Sequence, residues 1–443
     1  MEKSRLRIGA TQVQPLMADY MPIDGLGIVV DFEKSHGAHL YDAKTDQFYL
    51  DFLSFYASNP LGFNHPRLTS PEVVEELGRV AIHKPSNSDI YSREMAEFLD
   101  VFVRHAKPDF MKYTFFIEGG ALAVENALKT AFDWKVRKNL ARGSKKERGY
   151  KVIHFQEAFH GRSGYTLSLT NTSDVRKTQY FPKFDWPRIV NPKCSFPLEG
   201  ENLQQVKKLE ERALAQIQTV LVKDSEDICA LILEPIQGEG GDNHFRPAFH
   251  VELRRICDEN DILLIYDEVQ TGFGATGRMW AFEHYVRPDI LAFGKKFQVC
   301  GILASDRVDE VGDNVFHVPS RINSTWGGNL IDMVRCRLYL EIFEEEKVLQ
   351  HTRRMGEVLL AELRQLEEEF PSKVTNSRGI GLFCAFDLPD TEFRTQFRQK
   401  LFQNRLLILP AGEHSIRFRT ALNISEEDLL EGLRIIRDVL HEM

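Results

Sequence analysis

No two cysteines in this 443-residue chain are close enough to form a CxxC unit: Cys194, Cys229, Cys257, Cys300, Cys336 and Cys384 are scattered singly. That spacing excludes a zinc-ribbon type of metal site and a disulfide framework, and it suits a reducing compartment. No metal ligand set is expected. Also missing is any apolar run near the ~20 residues that a membrane span requires. The opening MEKSRLRIGATQVQP lacks the apolar centre of a secretory signal, so a cytoplasmic protein is expected. Positive charge is in deficit, 56 Lys and Arg against 65 Asp and Glu for a net charge of -9. Such a balance argues against general nucleic-acid binding and against an anionic membrane surface. No internal repeat or low-complexity linker interrupts the chain. What is present is a composition 43% hydrophobic, enough for two domains and a large core.

The organising stretch runs from Ile262 to Lys295. ILLIYDEVQ is an apolar run closed by Asp267, Glu268, Val269 and Gln270, and PDILAFGKK is a second one closed by Gly294, Lys295 and Lys296. Both read as short buried strands. Before them, strand-like and helix-like segments alternate: KYTFFIEGG then ALAVENALKTAFDWKVRK, KVIHFQEAFHG then ENLQQVKKLEERALAQI, and ICALILEPIQGEGG then RPAFHVELRRICDEN. That order predicts a mostly parallel sheet with helical crossovers. GAHLYDAKTDQFYLDF reads as a hairpin turning at Thr45-Asp46, and Ser70 before Pro71 reads as a helix start. After about residue 330 the texture changes to two charged helices and the short strands GIGLFCAFDL, RLLILPAG and SIRFRTALNI. A last helix begins at Glu426 behind Ser425. The expected division is residues 1–60 as an N-terminal segment packing with the small domain, 61–330 as the large domain, and 331–443 as a smaller α+β domain.

In an open α/β sheet the ligand sits outside the carboxyl ends of the strands, where Asp267 and Lys295 are predicted to meet. An amine and an acid there can grip pyridoxal phosphate, the lysine as a Schiff base and the aspartate on the pyridine nitrogen. Taken singly, such a Lys is more often a solvated residue and such an Asp a cap. Gly119-Gly120-Ala121 opens a helix and could receive a phosphate on its free N–H groups, though ordinary strand-to-helix turns look the same. Phe159 ends a strand and could stack on a flat ring, and Arg162 could bind a carboxylate; a core Phe and a surface Arg are the bland equivalents. Glu234 and Glu239 end another strand. Gly272 to Gly277 matches G-x-G-x-x-G literally, but it neither follows its strand directly nor opens a helix, so it is not a dinucleotide motif. Asn323 to Asn329 is rich in hydroxyls and glycine. Of Arg417 and Arg419 on an expected strand, one is predicted to face the site and the other to be solvated.

The ordered set GGALAVENALK, FHGRSGY, EPIQGEGG, DEVQTGFGATG, AFGKK and STWGGN resembles the class III (ornithine/GABA-type) aminotransferases, α/β proteins of the pyridoxal phosphate-dependent transferase fold type I. The resemblance runs from about Tyr41 to the C-terminus. KPSNSDIYS, FFIEGGALAVENALK, FHGRSGYTLSLTNT, FPKFDWPRI, AFGKKFQVCG and VPSRINSTWGGN are similar to the lysine-using branch of that family. One departure is Thr420-Ala421, where relatives often carry two prolines. The resemblance implies Lys295 as Schiff-base lysine, Asp267 on the ring nitrogen, Gln270 on the ring hydroxyl, Val269 and Phe159 against the ring faces, and Gly120 and Ala121 on the phosphate. Thr325 would serve the phosphate of the neighbouring subunit, which implies a homodimer with shared sites. Arg417 would take the α-carboxylate of glutamate or 2-oxoglutarate, with Glu239 as its switch partner. Arg162 would hold the α-carboxylate of lysine, with Asn323 of the partner chain nearby. The implied reaction passes the ε-amino group of L-lysine to 2-oxoglutarate, giving 2-aminoadipate 6-semialdehyde, which cyclises to piperideine-6-carboxylate, and glutamate. Ornithine or 4-aminobutyrate as donor is the neighbouring possibility; a non-catalytic binding protein would not need Lys295.

Overall fold

The computed structural model describes residues 8–443; positions 1–7 of the opening segment lie outside the described residues. The expected hairpin is present as β1 (His39–Asp42) and β2 (Gln47–Asp51), antiparallel with Asp42 opposite Gln47. Asp46 turns the corner at φ 58°, a conformation Asp tolerates better than most residues. The helix Pro71–Ala81 starts as expected, with Ser70 Oγ accepting from the Val73 N–H at 3.4 Å.

β3 (Met111–Ile117), β4 (Lys151–Phe155), β5 (Arg188–Ile189) and β6 (Ile228–Leu233) come next, followed by a small ribbon of β7 (Ile236–Gln237) and β8 (Asn243–His244). β9 (Leu263–Asp267), β10 (Ile290–Phe293) and β11 (Cys300–Ser305) complete a seven-stranded sheet of order β3-β11-β10-β9-β6-β4-β5. Neighbours from β10 through β5 are parallel; only β11 runs against both its partners. Every residue of β6, β9 and β10 is buried, because crossover helices cover both faces of a parallel sheet. Alternate residues of β9 serve the two layers. Leu263 and Ile265 join Val124, Leu128 and Ala131 of the helix Gly120–Ala141, while Leu264 and Tyr266 join Phe249 and Leu253 of the helix Pro247–Glu259. The expected long strand at KVIHFQEA stops at Phe155, since Glu157 turns to φ 60°.

Two helices, Leu330–Glu345 and Val348–Glu369, lead to a second sheet. It comprises β12 (Thr375–Ile380), β13 (Phe383–Asp387), β15 (Leu409–Ala411) and β16 (Ser415–Arg417), in the order β12-β13-β16-β15. β14 (Leu406–Leu407) instead pairs in parallel with β2, which ties the N-terminal hairpin to the C-terminal region. The chain closes on the helix Glu426–Glu442, capped by Ser425 Oγ accepting from the Asp428 N–H at 3.0 Å.

The literal G-x-G-x-x-G segment is a packing seam. Leu382 N–H bonds Ala275 O at 3.1 Å, and Arg353 of the helix Val348–Glu369 bonds Gly277 O at 2.7 Å. The β12–β13 turn is wedged between them. Gly381 sits at φ +59°, and a Cβ there would lie 2.5 Å from Thr276 C and 2.8 Å from Ala275 O, both backbone atoms. Gly381→Ala therefore meets left-handed strain and overpacking together, an expected loss of about 2–5 kcal/mol. Thermal melting checks this against Gly143→Ala, which shares a positive φ (+93°) but has nothing within 4 Å of the added carbon. Equal melting of the two variants contradicts the seam.

Candidate active site

The carboxyl ends of β3, β4, β6, β9 and β10 open on one side of the sheet, and the residues singled out in the sequence follow them. Asp267, the last residue of β9, is buried to 4% exposure. Its Oδ2 lies 2.8 Å from His160 Nδ1 and its Oδ1 accepts from the Val269 N–H at 3.0 Å. Because a carboxylate only accepts, His160 Nδ1 carries the proton. His160 was missed in the sequence although it lies between Phe159 and Arg162. Its signal is a histidine just past a strand end facing an acid two strands away. Its Nε2 is buried without a partner among the described residues.

Lys295 follows β10 with φ 50°, a strained conformation of the kind that concentrates at functional sites. Its half-buried amine reaches Tyr56 O over 3.4 Å. Burial first, then Arg417 and Arg419, pulls its pKa down to about 8. Lys296 is fully buried and turned the other way, its amine 3.4 Å from Gln270 O.

Tyr56 belongs to a second feature the sequence did not reveal. Ser54, Phe55, Tyr56 and Ala57 all have positive φ, from 41° to 68°. A left-handed turn of ordinary residues costs ~1–2 kcal/mol per residue. Asp51 helps hold it by accepting from the Leu53 and Ser54 N–H groups, each at 2.9 Å, while burial pushes its carboxyl up to about 6.

Glu234, just past β6, accepts from the Phe159 N–H at 3.0 Å and the Gly238 N–H at 2.9 Å, and burial pushes its carboxyl up to about 7. It fixes the backbone that presents half-buried Phe159. Glu268 is different: it bonds the Ala281 and Phe282 N–H groups at 2.7 and 2.8 Å and serves the local turn. Gly119 (φ +90°) is exposed, and a Cβ there would meet nothing within 4 Å, so the N-terminus of the helix Gly120–Ala141, with Gly120 and Ala121 in its first turn, stands open to an anion.

The two arginines depart from expectation. Residues two apart on an extended chain share a side, and Arg419 is not solvated; both are buried. Arg419 makes a two-pronged pair with Asp242, one prong at 2.8 Å, and lies 3.6 Å from the Phe383 ring centre. Arg417 donates to Gln270 Oε1 at 3.2 Å, and its Nε has no partner among the described residues. Burial, then Arg419, pulls its pKa down to about 10. The expected Arg417–Glu239 pair is not formed. Glu239 instead accepts from Lys177 at 2.7 Å and Thr172 Oγ1 at 2.9 Å, because Arg417 has turned to Gln270.

Arg162 is exposed and lines a groove with Tyr165, Phe181 and Phe184, and no hydrogen bond joins it to the Asp267–Lys295 group. Asn323 and Thr325 are likewise exposed, and neither bonds that group within the chain. Gln270 is engaged by Arg417 and half-buried Val269 by the helix start.

The set fits a flat, phosphate-bearing pyridine aldehyde. An open helix N-terminus suits the phosphate, a buried acid the ring nitrogen, and a depressed-pKa amine the aldehyde; the orphaned Arg417 Nε adds an unused donor. The aminotransferase class-III family profile matches residues 20–440. L-lysine-epsilon aminotransferase of Mycobacterium tuberculosis (strain ATCC 25618 / H37Rv) is 49% identical over 431 residues, 97% of this chain and 95% of the relative. The protein of the same name from Streptomyces clavuligerus is 44% identical, over 96% and 93%. A solved structure described as lysine aminotransferase from M. tuberculosis in the internal aldimine form superposes with a TM-score of 0.96 at 48% identity, covering 98% of this chain and 100% of that one.

The two adjacent lysines give a sharp test of the geometry. After borohydride reduction of the holoenzyme and proteolysis, the cofactor mass is expected on Lys295. Lys295→Ala should lose it and Lys296→Met should keep it; label on Lys296 in the wild type contradicts the placement.

Proposed function

The chain belongs to the class III aminotransferases, and from that premise we propose that it transfers the ε-amino group of L-lysine to 2-oxoglutarate, yielding 2-aminoadipate 6-semialdehyde and glutamate. It is a pyridoxal phosphate-dependent enzyme. The observation that carries the reading is the convergence of Asp267, Lys295 and Arg417 on one rim of the sheet, in a chain alike over nearly its full length to lysine-ε aminotransferases. Bound at this rim, pyridoxal phosphate supplies an aldehyde that takes up the amino group and an electron-withdrawing ring. The residues do the rest. Asp267, oriented by His160, keeps a proton on the ring nitrogen. Phe159 and Val269 confine the ring, Gln270 serves its hydroxyl, and the first turn at Gly120 and Ala121 takes the phosphate. The Lys295 amine would remove the proton from the reacting substrate carbon and later give it back; its lowered pKa, about 8, suits a base near neutral pH. The two substrates present opposite needs: lysine brings a neutral chain end with its carboxylate remote, and 2-oxoglutarate brings a carboxylate beside the reacting carbon. Arg162 receives the first carboxylate and Arg417 the second.

The working unit is a homodimer with shared sites, and its compartment is the cytoplasm. Exposed Thr325 and Asn323 support the dimer, as do large exposed side chains at Ile82 (71%), Ile90 (68%), Tyr91 (78%) and Trp326 (43%). Thr325 serves the partner's cofactor phosphate and Asn323 the partner's lysine carboxylate. Residues 61–330 form the cofactor domain and 331–443, with the N-terminal segment, the small one.

A panel of amine donors with product identification tests the proposal. Lysine should outperform ornithine and 4-aminobutyrate and give the cyclic imine of the 6-semialdehyde; a 2-oxo acid formed from lysine would overturn the regiochemistry. Asp267→Asn should still bind cofactor but lose turnover by at least ~100-fold, since an amide cannot stabilise the protonated ring ionically; near-normal turnover contradicts the role. Mixing inactive Thr325→Ala and Lys295→Ala chains should restore activity through one intact hybrid site. No recovery under demonstrated subunit exchange would mean each site is built within one chain.

A further inference from the structure

Lys177 closes the short helical turn Val175–Lys177, on an irregular stretch of chain. Asp174 at the start of this turn is occupied by the Arg176 guanidinium, at 2.8 and 3.0 Å. Among the described residues the one carboxylate that Lys177 pairs with is Glu239, at 2.7 Å. Glu239 is thus held by a side chain still 31% exposed, while Arg417, 7% exposed, is left without a carboxylate of its own. Asp242 cannot supply one, since both its oxygens are taken by Arg419.

We propose that Lys177 is a specificity-determining residue that competes with Arg417 for Glu239, and so sets how readily the pocket accepts a dicarboxylate. This rests on the two-substrate reading above. With Glu239 docked on Lys177, Arg417 stands free for the carboxylate of the acceptor. Without Lys177, Glu239 has two poor choices beside an incoming dicarboxylate. It stays on Arg417 and blocks it, or it remains a partly buried, uncompensated negative charge next to another one. With lysine in the pocket the balance reverses. The guanidinium is the stronger, two-pronged partner for a carboxylate, and Lys177, already reaching solvent, is released at little cost. A weak cation at the rim and a strong one inside make the two positions of Glu239 close in free energy, which a switch requires. An inert surface ion pair would leave ligand affinity untouched.

The test is glutarate, a dicarboxylate without the oxo group, titrated into the holoenzyme and followed by cofactor absorbance. Lys177→Met should weaken glutarate at least about fivefold and raise the KM for 2-oxoglutarate, with no slowing of the lysine half-reaction; Lys177→Arg should bind as wild type. In a Glu239→Gln background, adding Lys177→Met should change glutarate affinity little, because the carboxylate it manages is gone. Unchanged affinity in Lys177→Met, or a full-sized effect in the Glu239→Gln background, would overturn the proposal. Failure of the wild type to bind glutarate or use any dicarboxylate acceptor would instead overturn the two-substrate reading itself.

Discussion

A carboxylate buried at the end of a central strand is costly to keep, and the candidate site depends on how Asp267 is kept. One histidine nitrogen at 2.8 Å and one backbone N–H at 3.0 Å are its partners within the chain. Removing an ion from water costs several kcal/mol unless partners replace its hydration. These two partners hold the acid in one orientation and leave it the capacity to take a further proton-bearing group. His160 reaches it because β4 and β9 flank β6 in the same parallel direction, so that residues just beyond their ends converge. The proposed pyridinium role draws on that topology as much as on the residue type.

Cationic groups crowd the same rim. Lys295, Arg417 and Arg419 meet there, and Asp242 answers Arg419 alone. Burial first and the two arginines second lower the pKa of the Lys295 amine, and Arg417 pairs with no carboxylate among the described residues. A pocket of that kind favours acids, so an enzyme that must also accept the neutral chain end of lysine needs a movable negative charge. Glu239, reached by Lys177 and Thr172 at the mouth, is placed to be that charge. Under that proposal, charge sets the choice between the two substrates.

The strand ends that carry Asp267 and Lys295 were legible because parallel buried strands are unbroken apolar runs, and a sudden DEVQ or GKK closes them. Caps at Ser70 and Ser425 were legible for a local reason: a hydroxyl three residues before an N–H is a short-range pattern. Where packing rather than pattern decides, the reading fell short. The glycines from Gly272 to Gly277 serve the contact with the β12–β13 turn, which lies about a hundred residues away in sequence. Arg419 was expected in solvent, but residues two apart on an extended chain share a side, and Asp242 holds it inward. His160, the left-handed turn at Ser54 to Ala57 and the Lys177–Glu239 pair all rest on contacts that no local spacing encodes. The exposed Thr325 is the opposite case: its proposed role comes from family resemblance, and no hydrogen bond among the described residues displays it.

Asp267, steadied by His160, is proposed to hold a proton on the cofactor ring. The nitrogen-15 chemical shift of ring-labelled pyridoxal phosphate in the holoenzyme reads that proton without reference to turnover. The account predicts a protonated ring nitrogen whose shift stays constant across the neutral pH range. A neutral, pyridine-like shift in the wild type would contradict it.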